Sequence, residues 1–229
     1  MSLILNIDTA TETAYINIAE NGVSLGEARN EEMKDHAGFL QTAIQALAKK
    51  IGINLHELEA IAVTAGPGSY TGLRVGMASA KGLCYALNKP LITMGTLEVM
   101  TDRAILQSDH ISKHPKALFC PMIDARRMEV FTAIYTGNFD IIQSPEALIL
   151  TDHSYEKLLS ENIVYFFGNG SKKWQNICIS SNVIFLSLNT DALYMSRVSY
   201  KEFCSKKFAD LAYCEPMYLK EFDSTQRGN

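Results

Sequence analysis

The chain has 229 residues, a length that fits one large domain or two small lobes. Hydrophobic residues make up 47% and charged residues 20% of the sequence, which excludes disordered, collagen-like and low-complexity chains. With a formal net charge of −4, we do not expect a chain that holds nucleic acid largely by itself. The sequence lacks an apolar run of the roughly 20 residues that span a bilayer, lacks the signal-peptide pattern, and has five widely spaced cysteines, so we expect a cytoplasmic protein with reduced thiols.

The first half of the chain predicts the element order βββαβαβα. Asn21-Gly22 is a strong hairpin signal within a three-stranded meander. Apolar residues at helical spacing predict a helix after Asp35, its N-cap, that stops at Gly52. The predicted elements are strands 3–8, 14–20 and 23–28, helix 36–51, strand 60–65, helix 72–87, strand 91–94 and helix 96–107.

After a polar stretch over 108–116, the same order begins again. A shift of 116 residues aligns Ile7-Asp8 with Ile123-Asp124 and Asn21-Gly22 with Gly137-Asn138, and a Gly-x-Gly leads the next helix in each half. Strands are predicted over 118–124, 129–135, 139–142 and 163–167. We therefore predict a duplicated α/β fold with lobes over 1–108 and 109–229 and the C-terminal tail packing back on the first lobe, although any two three-stranded meanders share part of this likeness.

An Asp at the end of the first strand of each lobe, facing a Gly-x-Gly loop, is typical of a nucleotide cleft. Glycines let backbone N–H groups approach a phosphate, and the carboxylate can hold a metal ion or water beside it. Arg126 and Arg127 make the second hairpin bulky and cationic, which disfavours nucleotide hydrolysis by this chain alone; in the simpler interpretation each Asp only caps a turn. The candidate contacts of a vestigial ATP or ADP site are Asp8, Thr9, Thr11, Gly66, Gly68 and Ser69.

The predicted helix 72–87 is uncharged over an unusually wide arc, with only Arg74 and Lys81 charged. Small residues recur at every fourth position in two series, which permits close helix approach on two sides. Two interpretations stay open: the helix is fully internal, or its second face forms a subunit interface together with an edge of the preceding helix. The candidate interface residues are Phe39, Ala46, Val75, Ala78, Ser79, Gly82 and Ala86.

The histidines do not predict a metal site. His110 and His114 have the i, i+4 spacing of a ligand pair, but they lie in the polar boundary before Pro115 without a third ligand. Ser69 lacks the Gly-x-Ser-x-Gly spacing of a nucleophile elbow. We therefore expect neither a catalytic residue nor a metal.

Four segments resemble the bacterial TsaB (YeaZ) family over essentially the whole chain. Residues 65–76 read Ala-Gly-Pro-Gly-Ser-Tyr-Thr-Gly-Leu-Arg-Val-Gly and residues 124–131 read Asp-Ala-Arg-Arg-Met-Glu-Val-Phe. Residues 7–9 read Ile-Asp-Thr and residues 216–219 read Pro-Met-Tyr-Leu. The resemblance implies two ribonuclease-H-like lobes, the fold of actin and the heat-shock-chaperone ATPases.

The resemblance also implies a non-catalytic subunit. Such proteins pair with the paralogous TsaD and the ATPase TsaE, which together transfer a threonylcarbamoyl group to the adenosine next to the anticodon of transfer RNA. In TsaD a His-x-x-x-His pair binds the catalytic metal, whereas Thr96 and Met100 stand at the matching places here. The family implies a homodimer when alone, the TsaD contact on the same helices, and transfer RNA reached only through the complex. A stand-alone ATPase or small-molecule kinase, and a peptidase, are the alternatives.

Overall fold

The computed structural model describes residues 2–30, 36–107, 114–188 and 193–220, and it contains two five-stranded mixed sheets. The first sheet has the strand order β3-β2-β1-β4-β5, with β1 antiparallel to β2 and parallel to β4. The strands of this sheet and the helices of the first half of the chain are β1 Leu3–Asp8, β2 Ala14–Glu20, β3 Val23–Asn30, α1 His36–Ile51, β4 Ala60–Gly66, α2 Tyr70–Leu87, β5 Leu91–Gly95 and α3 Thr96–Gln107.

The second sheet repeats this topology, with β6 in the place of β1 and the order β10-β9-β6-β7-β8. Its elements are β6 Leu118–Asp124, β7 Glu129–Tyr135, β8 Ile141–Ile149, α4 Glu156–Glu161, β9 Val164–Phe167, α5 Ser171–Gln175, β10 Val183–Phe185 and α6 Leu193–Cys204. Both halves therefore have the order βββαβαβα, and the predicted duplicated actin-like, ribonuclease-H-like fold is confirmed. The exact lobe boundary stays a prediction, and Asp35 and His110 lie outside the described residues.

Alternation along the buried strands places apolar side chains on both faces of each sheet. In the first sheet Leu5 and Ile7 pack toward α1 and α2, whereas Ile4 packs with residues of α3 and α6. In the second sheet one face packs on α4 and α5, and the other on α3. Helix α3 thus lies between the sheets and joins their cores.

Helix α6, which the sequence analysis did not predict, follows the second sheet in the chain but packs on the first. Met195 and Val198 join the core formed by Ile4. The buried Ser196 hydroxyl donates to Asn17 Oδ1 at 2.7 Å. Because a buried hydroxyl without a partner is costly, this bond fixes how α6 seats on the sheet.

Of the predicted boundaries that differ from the structure, two have a clear local cause. The strand predicted over 139–142 is β8, Ile141–Ile149, because Phe139 has a φ of 67° and belongs to the turn, while β8 pairs with β7 as far as Glu129 opposite Ile149. The helix predicted from residue 72 begins at Tyr70, because the Ser69 hydroxyl caps it by accepting from the Gly72 N–H. Within the described residues, none of the helices is both long and apolar enough to cross a bilayer.

Candidate functional site

The carboxylate of Asp8 lies where β1 ends and its hairpin begins. Its Oδ1 accepts hydrogen bonds from the Ala10 N–H at 2.9 Å and from the Thr64 hydroxyl at 2.7 Å. Burial raises the pKa of Asp8 above its ordinary value and outweighs the lowering effect of these two bonds. The group is therefore held within the packed β1–β2 hairpin, beside β4.

The glycines that follow β4 pack directly against this hairpin. A Cβ on Gly68 would lie far inside van der Waals contact of the Ala10 carbonyl oxygen, and one on Gly72 would meet the Thr9 carbonyl oxygen in the same way. The Ser69 N–H donates to the Ala10 carbonyl at 2.7 Å, and the Thr9 hydroxyl donates to the Gly72 carbonyl at 2.7 Å. The close approach that glycine permits is thus used by the chain itself.

The predicted nucleotide-binding residues therefore lie close together, but their polar groups contact one another. Asp8, Thr9, Gly68 and Ser69 are joined by the contacts above, and the Thr11 hydroxyl is directed to the Thr13 carbonyl at 3.4 Å. A phosphate would need these N–H groups to be turned toward it. Nucleotide binding at this loop remains a prediction.

The last predicted contact, Gly66, lies under the C-terminal strap, which we define as residues 205–220. Gly66 has a φ of 119°, and a Cβ there would lie 2.6 Å from the Met217 carbonyl oxygen. The Met217 N–H donates to the Ala65 carbonyl at 2.6 Å. The Tyr218 ring lies 5.0 Å from the Tyr70 ring, centroid to centroid. The sequence analysis expected this tail to pack back on the first lobe; in the structure it lies against the end of β4 and the start of α2.

The strap also contacts the second lobe. Lys81 donates to the carbonyls of Ala212 and Cys214, at 3.3 and 3.2 Å, and so ties the strap along α2. At the far end Lys220 Nζ lies 2.8 Å from Glu129 Oε2 on β7. The strap therefore bridges the two lobes beside the hairpin that follows β6.

The hairpin after Asp124 has a different chemistry from the hairpin after Asp8. Asp124 Oδ1 accepts from Lys173 Nζ and from the Arg126 N–H, both at 2.6 Å. Partial burial favours the neutral acid, but these donors outweigh it and hold the pKa of Asp124 below its ordinary value. The position where a metal or a polarised water would contact Asp124 is taken by an ammonium group of the chain.

The predicted interface residues lie together on α1 and α2. Ala46, Ala78, Gly82 and Ala86 are exposed, whereas three others are half-buried. Those three are Phe39, Val75 and Ser79. A Cβ on Gly82 would have open space around it, so α2 is not internal to this chain. We call this surface the α1/α2 face.

The segment where the resemblance places the TsaD histidines begins α3. Thr96 is buried at the first position of this helix and Met100 lies one turn later, against Gly168. His114 lies beside the Tyr165 ring. Within the described part of the chain, no group of three or more His, Cys, Asp or Glu residues could hold a metal ion.

Comparisons with known proteins agree with this architecture. Among solved structures, YeaZ from Pseudomonas aeruginosa superposes with a TM-score of 0.72 at 21% identity, covering 96% of this chain and 100% of that one. The TsaB protein of Escherichia coli is 28% identical over 226 residues, covering 95% of this chain and 94% of the relative. The TsaB protein of Bacillus subtilis is 31% identical over 132 residues, covering 58% of this chain and 54% of the relative.

The family model of TsaD, described as tRNA N6-adenosine threonylcarbamoyltransferase, matches residues 28–221, which is most of the chain. The matched region includes the glycine loop, the Asp124 hairpin and the strap. The sequence match to this model and the near-full-length similarity to TsaB proteins point the same way. The chain belongs to the TsaD family and, within it, to the bacterial TsaB (YeaZ) proteins.

Proposed function

We propose that this chain is a non-catalytic subunit of tRNA threonylcarbamoyladenosine biosynthesis that binds, stabilises and orients a TsaD-like catalytic paralogue. The relatives are named as biosynthesis proteins of this modified nucleoside. The observation that carries the proposal is the α1/α2 face, an open helical surface of small side chains on a molecule whose own nucleotide loop is filled by its own chain.

The centre of the α1/α2 face carries no charge. The two charged residues of α2 are held at its edge by the strap, since Lys81 donates to strap carbonyls and Arg74 donates to the Tyr218 hydroxyl at 3.0 Å. Together, the small side chains of Ala78, Gly82 and Ala86 let a partner helix approach closely. Tyr85 is 85% exposed beside them and offers an aromatic anchor of the kind that is enriched in protein interfaces.

A paralogous chain is the partner that fits this face best. A second copy of the same helix pair presents small residues at matching positions, so two related chains can pack face to face about a pseudo-twofold axis. We also propose that the same face forms a homodimer when the chain is alone, and that a TsaE-like ATPase and transfer RNA bind the assembled complex rather than this face. We place the assembly in the cytoplasm.

The chemistry is assigned to the partner because the two hairpins of this chain are occupied. The Ser69 N–H and the glycines after β4 contact the Asp8 hairpin, and Lys173 holds Asp124. As a stand-alone actin-like ATPase or kinase the chain would instead bind ATP tightly and release phosphate alone, which titration calorimetry and a phosphate-release assay would detect.

The test is co-purification with the TsaD-like paralogue. We expect Ala78→Arg, and separately Ala86→Glu, to reduce the recovered partner at least tenfold, because each places a charge at the centre of a closely packed surface. Ser160→Arg, at an exposed position of α4 in the second lobe, is the matched control and should leave recovery unchanged. If all variants give the circular dichroism spectrum of the parent and recover the partner equally well, the surface assignment is contradicted.

A further inference from the structure

The start of α2, the end of the strap and the hairpin after Asp124 are linked by contacts of the strap. They carry cationic and aromatic side chains that the proposed partner contact does not use. We call this set of side chains the basic rim. It consists of Tyr70, Arg74, Arg126, Arg127, Tyr218 and Lys220. The link is fixed by the strap, because Tyr218 lies over Tyr70 while Lys220, two residues later, contacts Glu129 in the second lobe.

The two hairpin arginines are held exposed by their backbone. Arg126 and Arg127 have φ values of 72° and 49°, a left-handed conformation that is uncommon for residues with a side chain. It is stabilised here because Asp124 Oδ1 accepts from the Arg126 N–H and the Glu129 N–H donates to the Arg126 carbonyl at 3.0 Å. Both side chains are exposed. The turn therefore projects two guanidinium groups outward.

The acids of this hairpin do not pair with these guanidinium groups. Asp124 and Glu129, the acids of this hairpin, are paired with Lys173 at 2.6 Å and Lys220 at 2.8 Å. Neither guanidinium has a hydrogen bond or ion pair within the described part of the chain. A chain with an overall charge of −4 thus presents an unneutralised basic tip.

The aromatic part of the basic rim is the pair of Tyr70 and Tyr218, which the strap connects to this hairpin through Lys220 and Glu129. The Arg74 guanidinium lies 4.0 Å from the Tyr70 ring centroid and 5.8 Å from that of Tyr218, and Tyr218 is 40% exposed. Guanidinium groups pair with phosphate oxygens in a bidentate geometry, while exposed aromatic and guanidinium planes stack on unpaired bases. An acidic protein surface would satisfy the arginines but would make no specific use of the rings.

We infer that the basic rim binds the phosphate backbone of an RNA strand, so that this subunit contacts the transfer RNA directly once the complex has assembled. The inference rests on the proposed function for the identity of the RNA. It refines the expectation from net charge, because a local basic tip can steer and position an RNA that the chain as a whole is too acidic to hold alone.

The test is the affinity of transfer RNA for the assembled complex as a function of salt. The variant is Arg126→Asn with Arg127→Asn, because asparagine tolerates the left-handed backbone and leaves the turn intact. We expect affinity to fall about tenfold near 0.1 M salt and the slope of log affinity against log salt to fall by about 1 to 2, the loss of two phosphate contacts. The control is Lys116→Ala with Lys157→Ala, at exposed positions of the same lobe. It removes the same charge and should leave the RNA affinity and the salt slope unchanged.

Co-purification with the paralogue is measured on the same samples. Parental RNA affinity of the arginine variant in an intact complex would overturn this inference and leave the proposed function standing. Loss of the paralogue instead of RNA would identify the basic rim as a protein contact and would also overturn it. If the parent chain does not bind the paralogue, the proposed function fails. The inference is then decided by titrating transfer RNA into the chain alone at low salt. Weaker RNA binding by the arginine variant than by the parent and the lysine variant would support it, and equal binding would overturn it.

Discussion

The hairpin after Asp8 and the hairpin after Asp124 occupy equivalent places in two copies of one topology, yet they differ in packing and charge. The first is closed over by Gly68 and Gly72, whose missing side chains admit the backbone of Thr9 and Ala10. The second projects Arg126 and Arg127 and pairs its aspartate with Lys173. The same fold position has become a packing contact in one lobe and a cationic surface in the other.

The two hairpins thus differ in the contacts that would oppose nucleotide binding. In the first lobe the Ser69 N–H donates to the chain itself, and in the second lobe an ammonium group stands beside the aspartate. A nucleotide at either hairpin would compete with these contacts. This competition supports the proposal that the chemistry lies on the partner.

The largest effect is expected from filling the first hairpin. Gly72→Ala should lower the free energy of unfolding by about 3 kcal/mol, because its Cβ would overlap the Thr9 carbonyl oxygen and force the hairpin apart. Gly82→Ala on the same helix is the control, and it should raise stability by about 0.5 to 1 kcal/mol because the new methyl group meets open space. Urea denaturation measures both. A loss below 1 kcal/mol for Gly72→Ala would show that the hairpin is not closely packed.

The two aspartates should respond to neutralisation with opposite signs. The pKa of Asp8 is higher in the folded than in the unfolded state. Its favourable contribution to the free energy of unfolding is therefore present below the unfolded pKa and is lost as pH rises through the folded pKa. Asp8→Asn should therefore raise the melting temperature at pH 7, with Oδ1 still accepting both hydrogen bonds, and the gain should vanish in acid.

For Asp124 the folded pKa is lowered, so its contribution is present above the unfolded pKa and is lost as pH falls through the folded pKa. Asp124→Asn should lower stability at pH 7 by about 0.5 to 1 kcal/mol, a small value because the side chain is 40% exposed. Melting curves from pH 3 to 8 compare the two variants. Changes of the same sign at pH 7 would remove the electrostatic distinction between the hairpins.

An effect of similar size concerns the strap that connects the two lobes. Tyr218→Phe keeps the ring stack on Tyr70 but removes the acceptor of the Arg74 hydrogen bond, so we expect a loss of about 0.5 to 1 kcal/mol in urea denaturation. Tyr213→Phe, in the same strap and 83% exposed, is the matched control and should be neutral. Equal values for the two variants would indicate that the Tyr218 contact does not anchor the strap.

Local pattern was enough to predict the repeated architecture. The aligned Ile-Asp pairs and Gly-x-Gly loops identified the duplication, and apolar periodicity gave α1 and α3 to the residue. Helix α6 was missed, although Met195 and Val198 have helical spacing, because its buried side reads as mixed: Ser196 and Ser199 are fully buried and hydrogen-bonded. Such residues look exposed until the partner, here Asn17, is known.

The candidate site was predictable in its membership but not in its orientation. The sequence correctly grouped Asp8 with the glycine loop, since parallel strands β1 and β4 end side by side. It could not show that Gly68 and Gly72 admit backbone atoms of the chain, because glycine allows close approach of any group. The path of the strap depends on long-range contacts such as Lys220 with Glu129, 91 residues apart, which no local pattern encodes.

The central claim is that this chain acts through its surface and leaves the chemistry to its partner. The most direct test is reconstituted threonylcarbamoyl transfer to transfer RNA with the TsaD-like and TsaE-like proteins and each variant of this chain. We expect little transfer when the chain is omitted or carries Ala78→Arg, and the parental rate with Asp8→Asn. Full transfer without the chain, or loss of transfer with a folded Asp8→Asn variant that still binds its partner, would contradict it.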